Sequence, residues 1–275
     1  DLAVAMASDT YAKYAMETQN AAAWEKYAEF DEPCHWVAGK GELPALRDFL
    51  YGRNGAPHVE TSCQDRAGRT PLHRVALWGH SHCIPIFKDL RADFGAQDNL
   101  GWTPLFYAAA NGHHPMAKLL LDCKASVGAT DMSGATPLHL AVVNGHPQCV
   151  NLLLERKADP NAADSSLRTP LHKAALCTKF SVSLQQKLEL PEADYEAVAE
   201  CVLAVLEAGG DASLQDAQEK TAADLTDNDT ILQALGGGPP PPAVTEPPAP
   251  APAAKPAPAA KPAPAAKPAA KGKKK

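Results

Sequence analysis

Three short clusters contain residue types that could bind a metal, attack a substrate or hold a phosphate. His80-x-His82-Cys83 offers three zinc-ligating side chains, but no second Cys or His pair follows at zinc-finger spacing. Cys34-His35 pairs a nucleophile with a base, yet adjacent helical residues point in different directions. Gly236-Gly237-Gly238 precedes four prolines, whereas a phosphate loop continues to Gly-Lys-Ser or Gly-Lys-Thr. We therefore expect no catalytic residue, no metal site, no cofactor and no enzymatic activity.

Histidine also recurs at a fixed interval, which indicates a structural role. Thr-Pro-Leu-His begins at Thr70, Thr136 and Thr169, and Thr103 begins the variant Thr-Pro-Leu-Phe, so that successive copies are 33 residues apart. An Asp lies five residues before each Thr, and Gly-His follows nine residues after the first three. A histidine that returns in nearly every copy is expected to form local hydrogen bonds at a helix start, not to act as a general base.

Each recurring position predicts part of a helix pair. Thr before Pro is typical of a helix start, where the hydroxyl caps an N–H and Pro fits the first position. The Gly of Gly-His suits the end of that helix, because Gly adopts positive φ readily. An apolar second helix follows, as in 150–154, and the Asp-x-x-Gly segments indicate turns. Each unit therefore reads turn, helix, tight loop, helix and long hairpin-like loop.

This pattern resembles the ankyrin-repeat family, whose motif reads Thr-Pro-Leu-His-x-Ala, then Gly-His and a Leu-rich helix. The resemblance covers about 31–235 and implies an all-α solenoid of helix-loop-helix units joined by β-turn or hairpin loops. About six units are expected, with an insertion near 177–197 in the fifth and a closing cap as the sixth. Their ranges are 31–64, 65–97, 98–130, 131–163, 164–215 and 216–235. A helix within 1–30 is expected to cap the first unit.

The tail, 236–275, is rich in Gly, Pro, Ala and Lys, and we expect it to be disordered. It holds seven lysines that could make weak electrostatic contacts with nucleic acid or with an acidic protein surface. These are Lys255, Lys261, Lys267, Lys271, Lys273, Lys274 and Lys275. The tail could also serve as a nuclear address or as a solubilising tether, and the sequence leaves these alternatives open.

The bulk composition favours a reduced, non-membrane environment. The formal net charge is −6 although the tail is basic, so the rest of the chain is acidic. The seven cysteines are scattered singly, which suits free thiols in the cytoplasm or nucleus. No run of about 18 apolar residues occurs, so we expect no membrane span. We also expect a monomer.

In ankyrin-like units the turn tips and the exposed side of the first helix are not needed for folding, so the resemblance places partner specificity there. Trp78 and Trp102 are expected to be exposed, and Trp and Arg are common in binding hot spots. An apolar centre near Trp78, Leu100, Trp102 and Met132 would anchor a protein segment, with arginines selecting an acidic neighbour. The candidates are Arg66, Arg69, Leu77, Trp78, Asn99, Leu100, Trp102, Asn111, Met132, Val143, Asn144 and Arg168. Alternatively, both tryptophans pack along a neighbouring turn and serve only the solenoid.

The sequence therefore predicts an adaptor or scaffold that binds a protein on its concave surface, with the tail as an auxiliary contact. One alternative is the regulatory region of a larger enzyme truncated before Asp1. Another is a nuclear or chromatin-associated factor directed by the tail. No residue pattern names the partner.

Overall fold

The computed structural model describes residues 32–53, 58–176 and 195–236, and these segments form helices and turns without any strand. The predicted all-α class and the repeated helix pairs are confirmed. The expected capping helix in 1–30, residues 177–194 of the insertion and the tail from 237 onward lie outside the described residues.

Short first helices alternate with second helices along the chain. The α-helices are α1 Pro33–Lys40, α2 Leu43–Tyr51, α3 Pro71–Leu77, α4 Ile84–Asp89, α5 Pro104–Ala110, α6 His114–Asp122, α7 Pro137–Val143, α8 Pro147–Glu155, α9 (170–176), α10 Tyr195–Glu207 and α11 Asp229–Ala234. The 3₁₀ turns Ser81–Cys83 and Ala223–Leu225 precede α4 and α11. We keep the unit numbers of the sequence, so that α1 and α2 belong to unit 1 and α3 and α4 to unit 2.

The buried core residues recur at equivalent positions of successive units, as the sequence motif does. Phe87, Leu120, Leu153 and Val205 occupy one equivalent position in successive second helices, and all four are fully buried. The first helices pack in order, α1 on α3, α3 on α5 and α5 on α7. Their buried positions are filled by small alanines as well as by larger apolar residues, which lets neighbouring helices approach closely. Each unit therefore completes its core with its neighbours.

The recurring histidine joins each helix start to the next unit. In unit 4, the backbone N–H of Thr136 donates to His139 Nδ1 at 3.0 Å. His139 Nε2 lies 3.0 Å from the carbonyl oxygen of Arg168 in unit 5. Because Nδ1 accepts a hydrogen bond, the ring proton must be on Nε2, which donates to the carbonyl. His73 forms the same pair of bonds, so the predicted local role is accompanied by a contact between units.

Unit 3 departs from this arrangement because Phe106 replaces the histidine. The Phe106 ring is fully buried and stacks on Trp102, with 5.9 Å between the ring centroids. The hydroxyl oxygen of Thr103 is buried and has no hydrogen-bond partner among the described residues. Unit 3 thus lacks the histidine's hydrogen bond to the next unit, and Phe106 makes an aromatic contact within its own unit instead.

The Gly-His pairs form a second contact between units, which the sequence did not predict. Gly112 has a positive φ of 71°, as expected at the end of a first helix. The ring of His146 in the next unit lies directly over it, so a Cβ on Gly112 would be 2.7 Å from Nδ1. His146 Nε2 donates to the carbonyl oxygen of Ala110 at 3.0 Å. His113 lies over Gly79 in the same way.

The aspartates fix the turn tips. Asp98 Oδ1 accepts hydrogen bonds from the backbone N–H groups of Leu100 and Trp102 at 2.8 and 2.9 Å. Asp98 Oδ2 accepts one from the Tyr107 hydroxyl at 2.6 Å. Neighbouring tips are linked in turn, because the Met132 N–H donates to the Leu100 carbonyl oxygen at 3.1 Å. The tips therefore hold their side chains in a defined row.

Candidate functional site

The tips of units 3 and 4 present two apolar side chains to solvent, as expected. Leu100 is 57% exposed and Met132 is 80% exposed. Arg66 and Asn99 are also exposed, and the Asn99 amide donates to the Arg66 carbonyl oxygen at 3.2 Å. These residues form a small surface at the tips.

Trp102 is not exposed, and that expectation was wrong. Its ring is half-buried, packs edge-on against Tyr107 with 5.1 Å between the ring centroids, and stacks on Phe106. Its indole N–H donates to Asp131 Oδ2 in the next unit at 3.3 Å. Trp102 therefore joins units 3 and 4, and the tip surface lacks the aromatic anchor that the sequence placed there.

Two of the candidate arginines already have carboxylate partners within the chain. Arg69 Nε lies 2.9 Å from Asp65 Oδ2, and Arg168 Nε lies 3.4 Å from Asp216 Oδ2. Burial opposes ionisation of Asp65, but hydrogen bonds from Arg69 and Ala67 and the nearby guanidinium groups hold its pKa below the usual value. The structure thus assigns Arg69 and Arg168 an acidic neighbour inside the solenoid.

The candidates at the ends of the first helices differ in accessibility. The Asn111 amide donates to the Tyr107 carbonyl oxygen, and the Asn144 amide donates to the Ala110 carbonyl oxygen. Leu77 and Val143 are half-buried, and Leu77 packs on the core. Trp78 is different, because 61% of it is exposed, as predicted.

Trp78 lies beside unit 1, where a cavity of about 430 Å³ opens between α1 and α3. Its indole ring faces Gly39, so that a Cβ at that residue would be 3.5 Å from Trp78 Cδ1 and Nε1. The cavity is lined by His35, Trp36, Gly39, Lys40, Arg74, Trp78 and His80. Trp78 is therefore brought together with residues of unit 1, and not with the exposed tip residues of units 3 and 4 that the sequence grouped with it.

A second cavity of about 370 Å³ shares His35, Trp36 and Arg74 with the first. It is also lined by Glu32, Asp65, Arg66, Ala67 and Arg69. We call the two cavities together the unit 1–2 groove. The groove therefore runs from the exposed Trp78 towards the tip of unit 2.

Positive charge dominates the groove although the whole chain is acidic. Arg74 donates from Nε and Nη2 to Asp65 Oδ2 at 3.1 and 2.8 Å, and Arg69 binds the same oxygen. Lys40 Nζ lies 5.7 Å from the centroid of the Trp36 ring, a cation–π distance. Two tryptophan rings and several cations are thus combined in one concave place, which is typical of a site for a protein segment.

Of the residues that line this groove, only Arg66, Arg69 and Trp78 were among the sequence candidates. The missed residues include the second tryptophan and two of the cations, namely Trp36, Lys40 and Arg74. Unit 1 precedes unit 2 by 38 residues instead of 33, so that Lys40 is the unit 1 equivalent of Trp78, and Trp36 is that of Arg74. Mapping the first unit through its longer loop would have placed Lys40 among the candidates. Trp36 and Arg74 share a first-helix position that the sequence did not mark as free in any unit.

The clusters considered for chemistry have structural contacts. His80 Nε2 lies 2.9 Å from the carbonyl oxygen of Gly39. His82 Nε2 lies 2.9 Å from the carbonyl oxygen of Gly41. A hydrogen bond with Cys63 and burial raise the pKa of the Cys34 thiol well above its usual value, so it stays protonated at neutral pH. Within 32–53, 58–176 and 195–236, no group of three His, Cys, Asp or Glu residues is arranged to hold a metal ion.

The remaining predictions concern the tail and the membrane. All seven tail lysines lie outside the described residues, so their role stays a prediction. Among the helices of the described segments, none has the length and apolar character needed to cross a bilayer.

Comparison with protein-family models identifies the repeated unit. A model of three ankyrin repeats matches residues 34–131, and a single ankyrin-repeat model matches residues 133–165. No curated protein gives a significant match to the chain. Ankyrin repeats are protein–protein interaction modules. The matched repeats and the helical solenoid together show that this chain is an ankyrin-repeat protein.

Proposed function

We propose that the chain is a non-catalytic adaptor that binds a partner protein in the unit 1–2 groove, with Trp78 as the principal anchor. The observation that supports this most strongly is the 61% exposure of Trp78 beside Trp36 and Arg74. A tryptophan exposed to this degree does little for the fold, and burying it against a partner would stabilise the complex. The Lys-rich tail would add a second, salt-sensitive contact.

Affinity purification with the intact chain tests this proposal. Trp78→Ala is expected to reduce partner capture by about 30-fold, the effect of losing a hot-spot side chain. The thermal midpoint of the chain should change little, because most of the Trp78 side chain is in contact with solvent.

Met132→Ala is the matched control, because Met132 is the more exposed apolar residue but lies at the tip of unit 4. It should leave capture nearly unchanged. If Met132→Ala abolishes capture and Trp78→Ala does not, the binding site lies at the tips and the proposed groove is wrong. Trp102→Ala is unsuitable here, because Trp102 connects two units. The tail contact is tested by measuring capture at increasing salt concentration. Capture by the intact chain should fall more steeply than capture by a variant that lacks residues 239–275.

A further inference from the structure

Three of the polar groups that line the cavity beside Trp78 are hydrogen-bond donors with capacity to spare. Arg74 uses Nε and Nη2 for Asp65, and no described residue accepts a hydrogen bond from its Nη1. The Trp78 indole N–H likewise has no acceptor among the described residues. Lys40 Nζ contacts the Trp36 ring, and no described carboxylate pairs with it. The cavity therefore offers a guanidinium, an ammonium and an indole N–H to an occupant.

Carboxylates are scarce in the same place. The residues that line the 430 Å³ cavity include no Asp or Glu. Asp65, in the neighbouring cavity, already accepts two backbone N–H groups on one oxygen and two arginines on the other. Glu32 lies at the far side and accepts the Arg66 N–H at 3.2 Å. A positively charged occupant would thus meet repulsion beside Trp78, whereas a carboxylate would find unused donors.

The largest apolar side chains that line the cavity are aromatic. They are Trp36 and Trp78, and Gly39, which faces the Trp78 ring, adds no side chain. A volume of about 430 Å³ lies at the lower end of the range for pockets that hold a ligand, on the order of 300–1,000 Å³. The cavity therefore suits one or two side chains of an extended segment better than the surface of a folded domain.

Building on the proposed function, we infer that the unit 1–2 groove recognises an acidic segment of the partner protein. An apolar side chain of the segment lies against Trp78 and Trp36. A side-chain carboxylate one to three residues away binds Arg74, Lys40 and the Trp78 indole N–H. Because the segment needs both an apolar side chain and a nearby carboxylate, basic segments and purely apolar segments are excluded.

Selection from a random-peptide phage library on the immobilised full-length chain tests this inference. The enriched peptides should combine Asp or Glu with Trp, Phe, Leu, Ile or Met within three residues. Their affinities are then measured by fluorescence anisotropy on synthetic peptides. Replacing the acidic residue of the peptide by its amide should weaken binding about 10-fold, and Trp78→Ala should weaken it about 30-fold.

Lys40→Glu is the decisive variant, because it reverses one charge at an exposed position without removing a hydrogen bond of the fold. It should weaken the peptides about 10-fold. Lys118→Glu makes the same change on the exposed face of α6 and should have less than a roughly twofold effect.

The inference would be overturned by enrichment of basic or uncharged peptides, by failure to enrich any peptide, or by equal binding to the Lys40→Glu variant. Micromolar competition by free 3-phenylpropionate would also overturn it, because the groove would then be a site for small aromatic carboxylates. If partner capture depends on Trp78 but the peptides lack acidic residues, only this inference fails. If capture is independent of Trp78, the proposed function itself fails.

Discussion

Gly112→Ala is expected to lower the free energy of unfolding by about 3 kcal/mol or more, a large effect for one methyl group. The residue has φ of 71°, a left-handed conformation that costs a non-glycine residue about 1–2 kcal/mol. The new Cβ would also lie 2.7 Å from His146 Nδ1 and 3.0 Å from Cγ. The ring cannot move away without losing its hydrogen bond to Ala110, and overpacking of this kind costs about 1–3 kcal/mol.

Substitutions at two other glycines distinguish the cost of the left-handed backbone from the cost of the clash with His146. Gly209 has a positive φ of 94° but no atom within 4 Å of its Cβ position, so Gly209→Ala should cost only about 1–2 kcal/mol. Gly128 has open space and no positive φ, so Gly128→Ala should be neutral or slightly stabilising. Urea unfolding followed by circular dichroism measures all three variants. Equal costs for Gly112→Ala and Gly209→Ala would show that His146 does not pack on Gly112.

Mild acid is expected to destabilise the solenoid through its buried histidines. Burial lowers the pKa of His35, His73 and His139 below the ordinary value of 6.5. Protonation at Nδ1 of His73 or His139 would also place a proton against the backbone N–H of a threonine. All three rings are therefore held in the neutral form.

The sign of the effect follows from where protons bind. Below pH 6.5 the unfolded chain binds more protons at these histidines than the folded chain does, so stability present above that pH is lost as the pH falls through the lowered pKa values of the folded chain. The limiting slope is about 1.4 kcal/mol per pH unit for each histidine, or about 4 for all three together. Asp65 and Asp164 have pKa values below 3.8 in the folded chain, so their contribution is lost only at lower pH.

Unit 3 supplies the matched variants for this prediction. His139→Phe copies the residue that unit 3 already has at this position, and it should make the dependence on pH between 7.5 and 5 shallower by about a third. Phe106→His should make the dependence of stability on pH steeper, because the substitution adds a buried imidazole next to the unpartnered Thr103 hydroxyl. Urea midpoints measured at each pH give the slopes. A stability that is constant over this range in the wild-type chain would contradict the neutral-histidine network.

The repeating positions allowed the solenoid to be predicted because each has one local cause. Pro at the first helical position, Gly at positive φ and Asp in the turn all act within a few residues. The structure nevertheless keeps the same turn where Gly is absent, since Leu167 has φ of 57° at the position of Gly134. Asp164 Oδ1 still accepts hydrogen bonds from Ser166 and Arg168 there, so the turn keeps its aspartate contacts without the glycine.

The site was less predictable because exposure depends on the neighbouring unit. Trp102 and Ala135 are equivalent residues, each directly before the recurring Thr, and Ala135 is almost completely buried. Trp102 is covered by Tyr107 of its own unit and by Asp131 of the next unit, and the second contact cannot be seen in a single unit. Trp78 was correctly expected to be exposed, but its neighbours belong to unit 1, where the motif is degraded and the loop is longer.

Hydrogen–deuterium exchange on the chain with its captured partner tests the proposed binding site most directly. Binding in the unit 1–2 groove should slow exchange in α1 and α3, residues Pro33–Lys40 and Pro71–Leu77, and leave the tip of unit 4 around Met132 unchanged. Slower exchange around Leu100 and Met132, with α1 and α3 exchanging as in the free chain, would place the partner at the tips and contradict the groove.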